Sequence, residues 1–204
     1  MKTKLILIRH GQTHWNAQKK YCGFMDVGLS PKGKRQAEKL HRRLHCEKVH
    51  HVYASDRKRA VQTAQIVFKE FKIKKLKGLR EMHFGCFEGL THKQIMKKHR
   101  RVYQKWLNDP FNCKIPEGET LKSFKKRVAV ALRKIVDDNP GKTVAVVFHG
   151  GAISIFITTL LKNKDFWKWI PSSTSMSVIE YENKKPKVVL LNDDSHIKKA
   201  RKNG

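Results

Sequence analysis

Three short stretches of the chain carry side chains able to act on an anion. LILI at 5–8 runs into Arg9-His10-Gly11, HHVYAS at 50–55 leads through Ser55 and Asp56 to Arg57, Lys58 and Arg59, and TVAVVF at 143–148 runs into His149-Gly150-Gly151. Each is a short apolar run, the pattern of a covered strand, stopped by cationic or imidazole side chains. In open α/β sheets, ligands bind beyond the carboxyl ends of strands and beside helix N-termini. If the three strands are neighbours, His10, His149, Arg9 and Arg59 converge on one pocket. The glycines behind each histidine would let backbone amides approach an anion closely. Such a pocket suits a dianion, and a phosphate ester is the plainest example.

Taken singly, each residue is weak. A histidine at a strand end is more often a hydrogen-bonded structural residue than a catalyst, and the tripeptide Arg-His-Gly recurs by chance. Arg59 is less ordinary, because a cation in the first turn of a helix opposes the macrodipole, which points to a compensating anion. Glu81 by itself reads as a solvated loop carboxylate. His41, His45, Cys46, His50 and His51 include an i, i+4 histidine pair of zinc-binding type. No acidic partner or paired cysteine completes a tetrahedral set, so the cluster reads as a basic helix end, and no metal or cofactor is assigned. Met82, Phe84, Phe87 and Trp106 either line a pocket where a flat base would stack or pack the middle of the chain onto the sheet.

The elements that must hold these residues follow from pattern. After LILI comes a loop rich in Gly, Asp and Ser, then a helix in LSPKGKRQAEKLHRRL, with Ser30 as cap, Pro31 in the first turn and Ala37, Leu40 and Leu44 on one face. HHVYAS is the second strand, and Ser55 or Asp56 can cap the helix that follows. Residues of roughly 80–118 mix short helical pieces with turn signals and read as a small, lid-like insertion. Leu121, Phe124, Val128, Leu132 and Ile135 fit a helix ended by Asn139-Pro140-Gly141. TVAVVF is the clearest buried strand, and an apolar helix runs from the following glycines to Leu161. SMSVIEYE and KVVLLN form a hairpin around Lys184-Lys185-Pro186. Strands alternating with helices predict an α/β fold, a three-layer α/β/α sandwich over a mostly parallel central sheet, in one domain spanning 1–204.

Composition sets the surroundings. The 204 residues and 39% hydrophobic content suffice for one sizeable core, which excludes wholesale disorder. Lys and Arg number 45 against 17 Asp and Glu, a formal charge of +28, so anionic small molecules are attracted and polyanions bind non-specifically. The basic runs are scattered, as on solvated faces, and no specific nucleic acid is expected. Cys22, Cys46, Cys86 and Cys113 are widely spaced and read as reduced thiols. The apolar run at 5–8 is too short for a signal peptide and nothing approaches transmembrane length, so the expected location is cytoplasmic, with no membrane partner and a homodimer left open.

LIRHGQTHWN, SDRKRAVQTA, LREMHFGCFEGLT, PEGETLKSFKKRV and VVFHGGAI, in that order over nearly the whole chain, resemble the motifs of the histidine phosphatase (phosphoglycerate mutase-like) superfamily. The middle stretch and the length look most like its α-ribazole phosphatase branch. The resemblance implies a phosphatase without a metal, working through a phosphohistidine. His10 would be the nucleophile, with Gly11 orienting its ring. Arg9, Arg59 and His149 would surround the transferring oxygens, with Asn16 as a further donor. Glu81 would protonate the leaving alkoxide and then take a proton from water, and Cys22 and Gly23 would belong to a substrate-contacting turn. Arg57, Phe148 and Ser154 depart from the family pattern, Arg57 adding charge at the site rim. The implied substrate is a small phosphate ester, with α-ribazole 5′-phosphate of cobalamin biosynthesis as the specific expectation. A phosphoglycerate mutase and a broad-specificity or phosphoserine phosphatase are the enzymatic alternatives. A polyanion-binding protein on an inactive scaffold is the alternative of another class.

Overall fold

The computed structural model describes residues 1–163 and 169–198, and the last part of the basic tail, beyond residue 198, lies outside them. Strand β1 (Lys2–Arg9) is followed by the one-turn helix α1 (His14–Ala17) and by α2 (Pro31–Arg43). Then come β2 (His51–Ser55), α3 (Lys58–Val67) and β3 (Ile73–Leu76). Helices α4 (His92–Lys98) and α5 (Arg100–Asn108) occupy the middle, before α6 (Leu121–Asp137), β4 (Thr143–Phe148) and α7 (Gly150–Leu160). Strands β5 (Met176–Glu182) and β6 (Lys185–Asp193) end the sheet.

The strand order is β3-β2-β4-β1-β5-β6, with β3, β2, β4 and β1 parallel and β5 and β6 antiparallel. The register pairs Arg9 with Phe148 and Ala54 with Val147, so β1, β4 and β2 end nearly level. Alternation along the strands sorts the core into two clusters. Leu5, Leu7, Val144 and Val146 pack with Phe124, Leu132 and Ile135 of α6 and with Ile153 and Ile157 of α7. Ile6, Ile8, Ala145 and Val147 pack with Ala37 and Leu40 of α2 and Ala60 and Ala64 of α3. A sheet buried on both faces by helices is the three-layer α/β/α arrangement, and its parallel strands are apolar on both sides for that reason.

Ser30 caps α2, its hydroxyl accepting from the Gly33 amide at 3.1 Å, with Pro31 at the first helical position. The cap expected of Ser55 or Asp56 is not formed. The residue before α3 is Arg57, without a side-chain cap bond, and Asp26 from another loop accepts from the Lys58 amide at 2.7 Å instead. Asp56 is engaged by the Arg80 guanidinium and Ser55 by His149. The hairpin turns at Asn183-Lys184, both with positive φ (49° and 62°), while Lys185 and Pro186 already belong to β6. The run containing Ile73–Leu76 (IKKL), expected only as scattered basic charge, is edge strand β3, and its exposed Lys74 and Lys75 discourage pairing with another sheet edge. The middle segment is packed rather than loose: Phe87, Ile95, Tyr103 and Trp106 are buried in the first core cluster.

Candidate active site

The level ends of β1, β2 and β4 bring together the three stretches that carry chemistry. His10 leaves β1 nearly buried, and its ring centroid lies 5.2 Å from that of His149, which follows β4 and is fully buried. His10 Nδ1 is 2.7 Å from the Gly11 carbonyl, so this nitrogen carries the proton and Nε2 keeps its lone pair. His149 is fixed from both sides. The Arg59 Nε–H donates to its Nδ1 at 3.2 Å, and its Nε2 lies 2.8 Å from the Ser55 hydroxyl. A nitrogen that accepts from a guanidinium is unprotonated, so His149 is the neutral Nε2–H tautomer donating to Ser55.

Burial, then Arg59 and Arg9, depress the pKa of His10 well below the ordinary 6.5. Burial, followed by Arg59, does the same to His149. Both rings are therefore neutral at neutral pH. Glu81 is the counterpart. Burial raises its pKa from 4.5, against the opposing pull of two backbone amides and of Arg59 and Arg9. Its Oε1 accepts from the Met82 amide at 3.0 Å and its Oε2 from the Gly151 amide at 2.8 Å. A Cβ at Gly151 would lie 2.5 Å from Oε1, so glycine there is what admits the carboxyl to the start of α7.

Among the described residues, neither arginine is matched by a hydrogen-bonded carboxylate. Arg59, fully buried, donates from Nη1 to Met25 O at 2.8 Å and from Nη2 to Cys22 O and Gly23 O at 3.2 and 2.7 Å. Arg9 donates from Nη1 to the Pro171 carbonyl, and its buried Nε–H has no acceptor. A buried charged donor left unpaired is costly, so the site is poised for an anion.

Of the three glycine amides expected to meet an anion, those of Gly11 and Gly151 are engaged elsewhere, while Gly150 lines the cavity. The Gly11 amide donates to Thr63 Oγ1 at 3.0 Å, and the Gly151 amide goes to Glu81. Gly11 serves close packing instead: a Cβ there would lie 2.5 Å from the Gly33 carbonyl in the first turn of α2. Asn16 caps back onto α1, its Oδ1 accepting from the Thr13 amide at 3.0 Å, which leaves its amide N–H groups as donors.

A cavity of about 580 Å³ opens over this centre, within the usual range of about 300–1,000 Å³ for small-molecule sites. Arg9, His10, Asn16, Cys22 and Glu81 line it, as expected, and so do Tyr21 and Phe84. Gly23, Arg59 and His149 do not line it; Arg59 and His149 lie buried behind His10, and the Gly23 carbonyl holds Arg59. Of the aromatic group, Phe84 faces the cavity while Met82, Phe87 and Trp106 belong to the core. Arg57 packs over the Phe24 ring, 5.4 Å from its centroid, rather than on the rim. Among the described residues no group of three or more His, Cys, Asp or Glu is placed to hold a metal ion, and His41 Nδ1–H donates to the Val67 carbonyl at 2.7 Å.

Sequence reading missed the supports. Glu88 accepts from the Phe24 and Met25 amides, both at 2.8 Å, and from the Phe84 amide at 3.2 Å, fixing the loop whose carbonyls grip Arg59. Arg127 reaches from α6 to the carbonyls of Gly78, Arg80 and Glu81 and sets the backbone that carries the carboxyl. Both act on backbone groups far away in sequence, and no local pattern announces that. Thr63 had the one available signal, its place a helical turn after Arg59, whose carbonyl it also contacts at 2.7 Å.

The model of the histidine phosphatase superfamily (branch 1) matches residues 5–194. Phosphoglycerate mutase-like protein 4 of Arabidopsis thaliana is 38% identical over 155 residues, covering 74% of this chain and 67% of its own. Phosphoserine phosphatase 1 of Hydrogenobacter thermophilus is 30% identical over 198 residues, covering 95% and 94%. The crystal structure of the α-ribazole phosphatase from Shigella flexneri superposes with a TM-score of 0.86 at 28% identity, covering 94% of this chain and 96% of that one. These relatives divide between phosphatases and mutases, but one family model spans β1 to the end of β6, and the paired histidines lie inside it: the chain belongs to the histidine phosphatase superfamily.

Proposed function

We propose that this chain is a phosphatase that hydrolyses a small phosphate monoester through a phosphohistidine on His10, with no metal in the reaction. One observation carries the reading. A neutral histidine, with Nδ1 committed to a carbonyl and Nε2 free, stands beside two arginines that lack carboxylate partners. Phosphoryl transfer has a loose transition state, and its main demand is placed positive charge, which Arg9 and Arg59 can supply. Asn16 adds a donor. His149, held by Arg59 and Ser55, keeps the guanidinium in place beside His10.

In the first step His10 Nε2 forms a bond to phosphorus and the P–O bond to the alcohol breaks. Glu81, whose neutral form burial favours, gives its proton to the departing oxygen. Both carboxyl oxygens already accept an amide, so the acidic proton occupies a remaining lone pair. In the second step the Glu81 carboxylate takes a proton from water as the water oxygen attacks phosphorus. The N–P bond breaks, inorganic phosphate leaves, and His10 and Glu81 return to their starting forms.

The relatives' names support three small esters as the candidates: α-ribazole 5′-phosphate, phosphoserine and a phosphoglycerate. Tyr21 and Phe84 offer an aromatic wall to the flat base of the first. Phosphate release from these three, assayed with EDTA present, tests the reading. EDTA-resistant turnover is expected, with free alcohol as product. Phosphate returned to a second hydroxyl of 3-phosphoglycerate would mark a mutase, and loss of all activity in EDTA would refute the metal-free step. The alternative of a polyanion-binding protein on an inactive scaffold predicts no turnover at all.

A further inference from the structure

The cavity over His10 is aromatic on one side only. Lys19 and Lys20 line the same space, together with Ile170. Neither lysine forms an ion pair with a carboxylate among the described residues, although such pairs hold Lys2, Lys4, Lys134 and Lys198 elsewhere on the surface. Among the described residues Glu81 is the one carboxyl group lining the cavity, and burial shifts it towards its neutral form.

The two lysines stand on a built turn rather than a loose one. The turn follows α1 directly: the Lys19 amide donates to Asn16 O at 3.1 Å and the Lys20 amide to Trp15 O at 2.9 Å. Lys19 holds φ at 55°, a left-handed conformation that costs a lysine about 1 kcal/mol or more and persists only where the surroundings enforce it. On the other side, Lys20 bridges to Thr91, and the Tyr21 amide donates to Leu90 O at 3.0 Å. The Lys20 ammonium lies 5.8 Å from the Trp15 ring centroid, which steadies its stem. The turn is therefore fixed to Asn16, and through it to the phosphate end of the cavity.

Charge counting then gives a direction. A phosphoryl dianion is balanced by Arg9 and Arg59, which leaves two ammonium groups over the rest of the cavity with no carboxylate paired to them among the described residues. We infer that Lys19 and Lys20 form a second anion subsite, so that the preferred ester carries a carboxylate or second phosphate on its alcohol portion, close to the phosphate being cleaved. This rests on the phosphatase reading above and narrows it. α-Ribazole 5′-phosphate, with no anion beyond its phosphate, would use the aromatic wall alone, and phosphoserine would bring a carboxylate to the lysines with an ammonium group beside it that offsets part of the attraction.

The test compares 3-phosphoglycerate with glycerol 3-phosphate, which share a three-carbon frame and differ in the carboxylate. The wild-type kcat/KM for 3-phosphoglycerate is expected to exceed that for glycerol 3-phosphate. In Lys19→Gln/Lys20→Met, where methionine keeps a stem over Trp15, that ratio should fall by about tenfold, mostly in KM, as two part-exposed ion pairs imply. Lys2→Gln/Lys142→Gln removes the same two charges at the opposite ends of β1 and β4, and should leave the ratio as it was. An equal fall in both double variants would reduce the effect to overall charge, and an unchanged ratio in the first would end the proposal. p-Nitrophenyl phosphate separates the two claims: no turnover of it by the wild type overturns the phosphatase reading. The subsite is then decided by dissociation constants, and equal affinity for the two ligands refutes it.

Discussion

Replacing Glu81 by glutamine tests whether this carboxyl group is the acid, and the structure sets two magnitudes. The carboxyl group receives one amide on each oxygen, from Met82 at 3.0 Å and Gly151 at 2.8 Å. Glutamine has one oxygen, so its NH2 group must face one of these donors and leave a buried N–H unpaired. That costs about 1–3 kcal/mol, which for a chain of this length lowers Tm by roughly 2–12 °C. The catalytic loss is separate and depends on the leaving group. Alkyl phosphates need a proton at the departing oxygen and should lose roughly 10²–10⁴ in kcat, about 3–5 kcal/mol of barrier. p-Nitrophenyl phosphate leaves as a stable anion and should lose less than about tenfold. Steady-state phosphate release on both esters reads the difference, and a Tm measurement shows that the variant is folded. Equal losses on the two esters, in a folded variant, would remove Glu81 as the proton donor.

Other outcomes follow from the same contacts. Because Glu81 is raised by burial, hydrolysis of alkyl phosphates should fall as pH rises through its folded pKa, while p-nitrophenyl phosphate stays nearly flat there; parallel pH profiles would contradict this. His10 and His149 have folded pKa values below the unfolded 6.5, so the unfolded chain binds more protons in the window between. Their contribution to stability is complete above pH 6.5 and is lost as pH falls towards the folded values, so Tm should drop there, less steeply in His10→Gln. Arg59→Lys cannot span His149 and the three carbonyls at 22, 23 and 25, and both Tm and kcat/KM should fall well below wild type. Glu88→Gln loses an acceptor for the 22–25 loop, and its effect through Arg59 should appear as a higher KM for every phosphate ester, p-nitrophenyl phosphate included.

How much of this was visible beforehand depends on whether a residue's partner is near it in sequence. TVAVVF and LILI announce buried parallel strands because both faces are covered, and Ser30-Pro31 announces α2 because a cap acts within one turn. Strand β3 was not legible, since an edge strand with two outward lysines looks like any basic surface run. Ser55 and Asp56 have the right chemistry for a cap, but His149 and Arg80, distant in sequence, compete for their oxygens and win. Of the residues lining the cavity, Arg9, His10, Asn16, Cys22 and Glu81 were legible from strand ends and motif order, while Lys19, Lys20, Tyr21 and Ile170 were not. Glu88 and Arg127 were not, because their partners are backbone amides and carbonyls, which every residue has.

The most direct measurement is base-quenched trapping of the enzyme with a substrate labelled in its phosphate, followed by mapping of the labelled peptide. A label that is stable to base, labile to acid, confined to His10 and absent from His10→Ala is the result expected. A wild-type enzyme that turns over substrate without acquiring that label, or carries it on another residue, would contradict the phosphohistidine account.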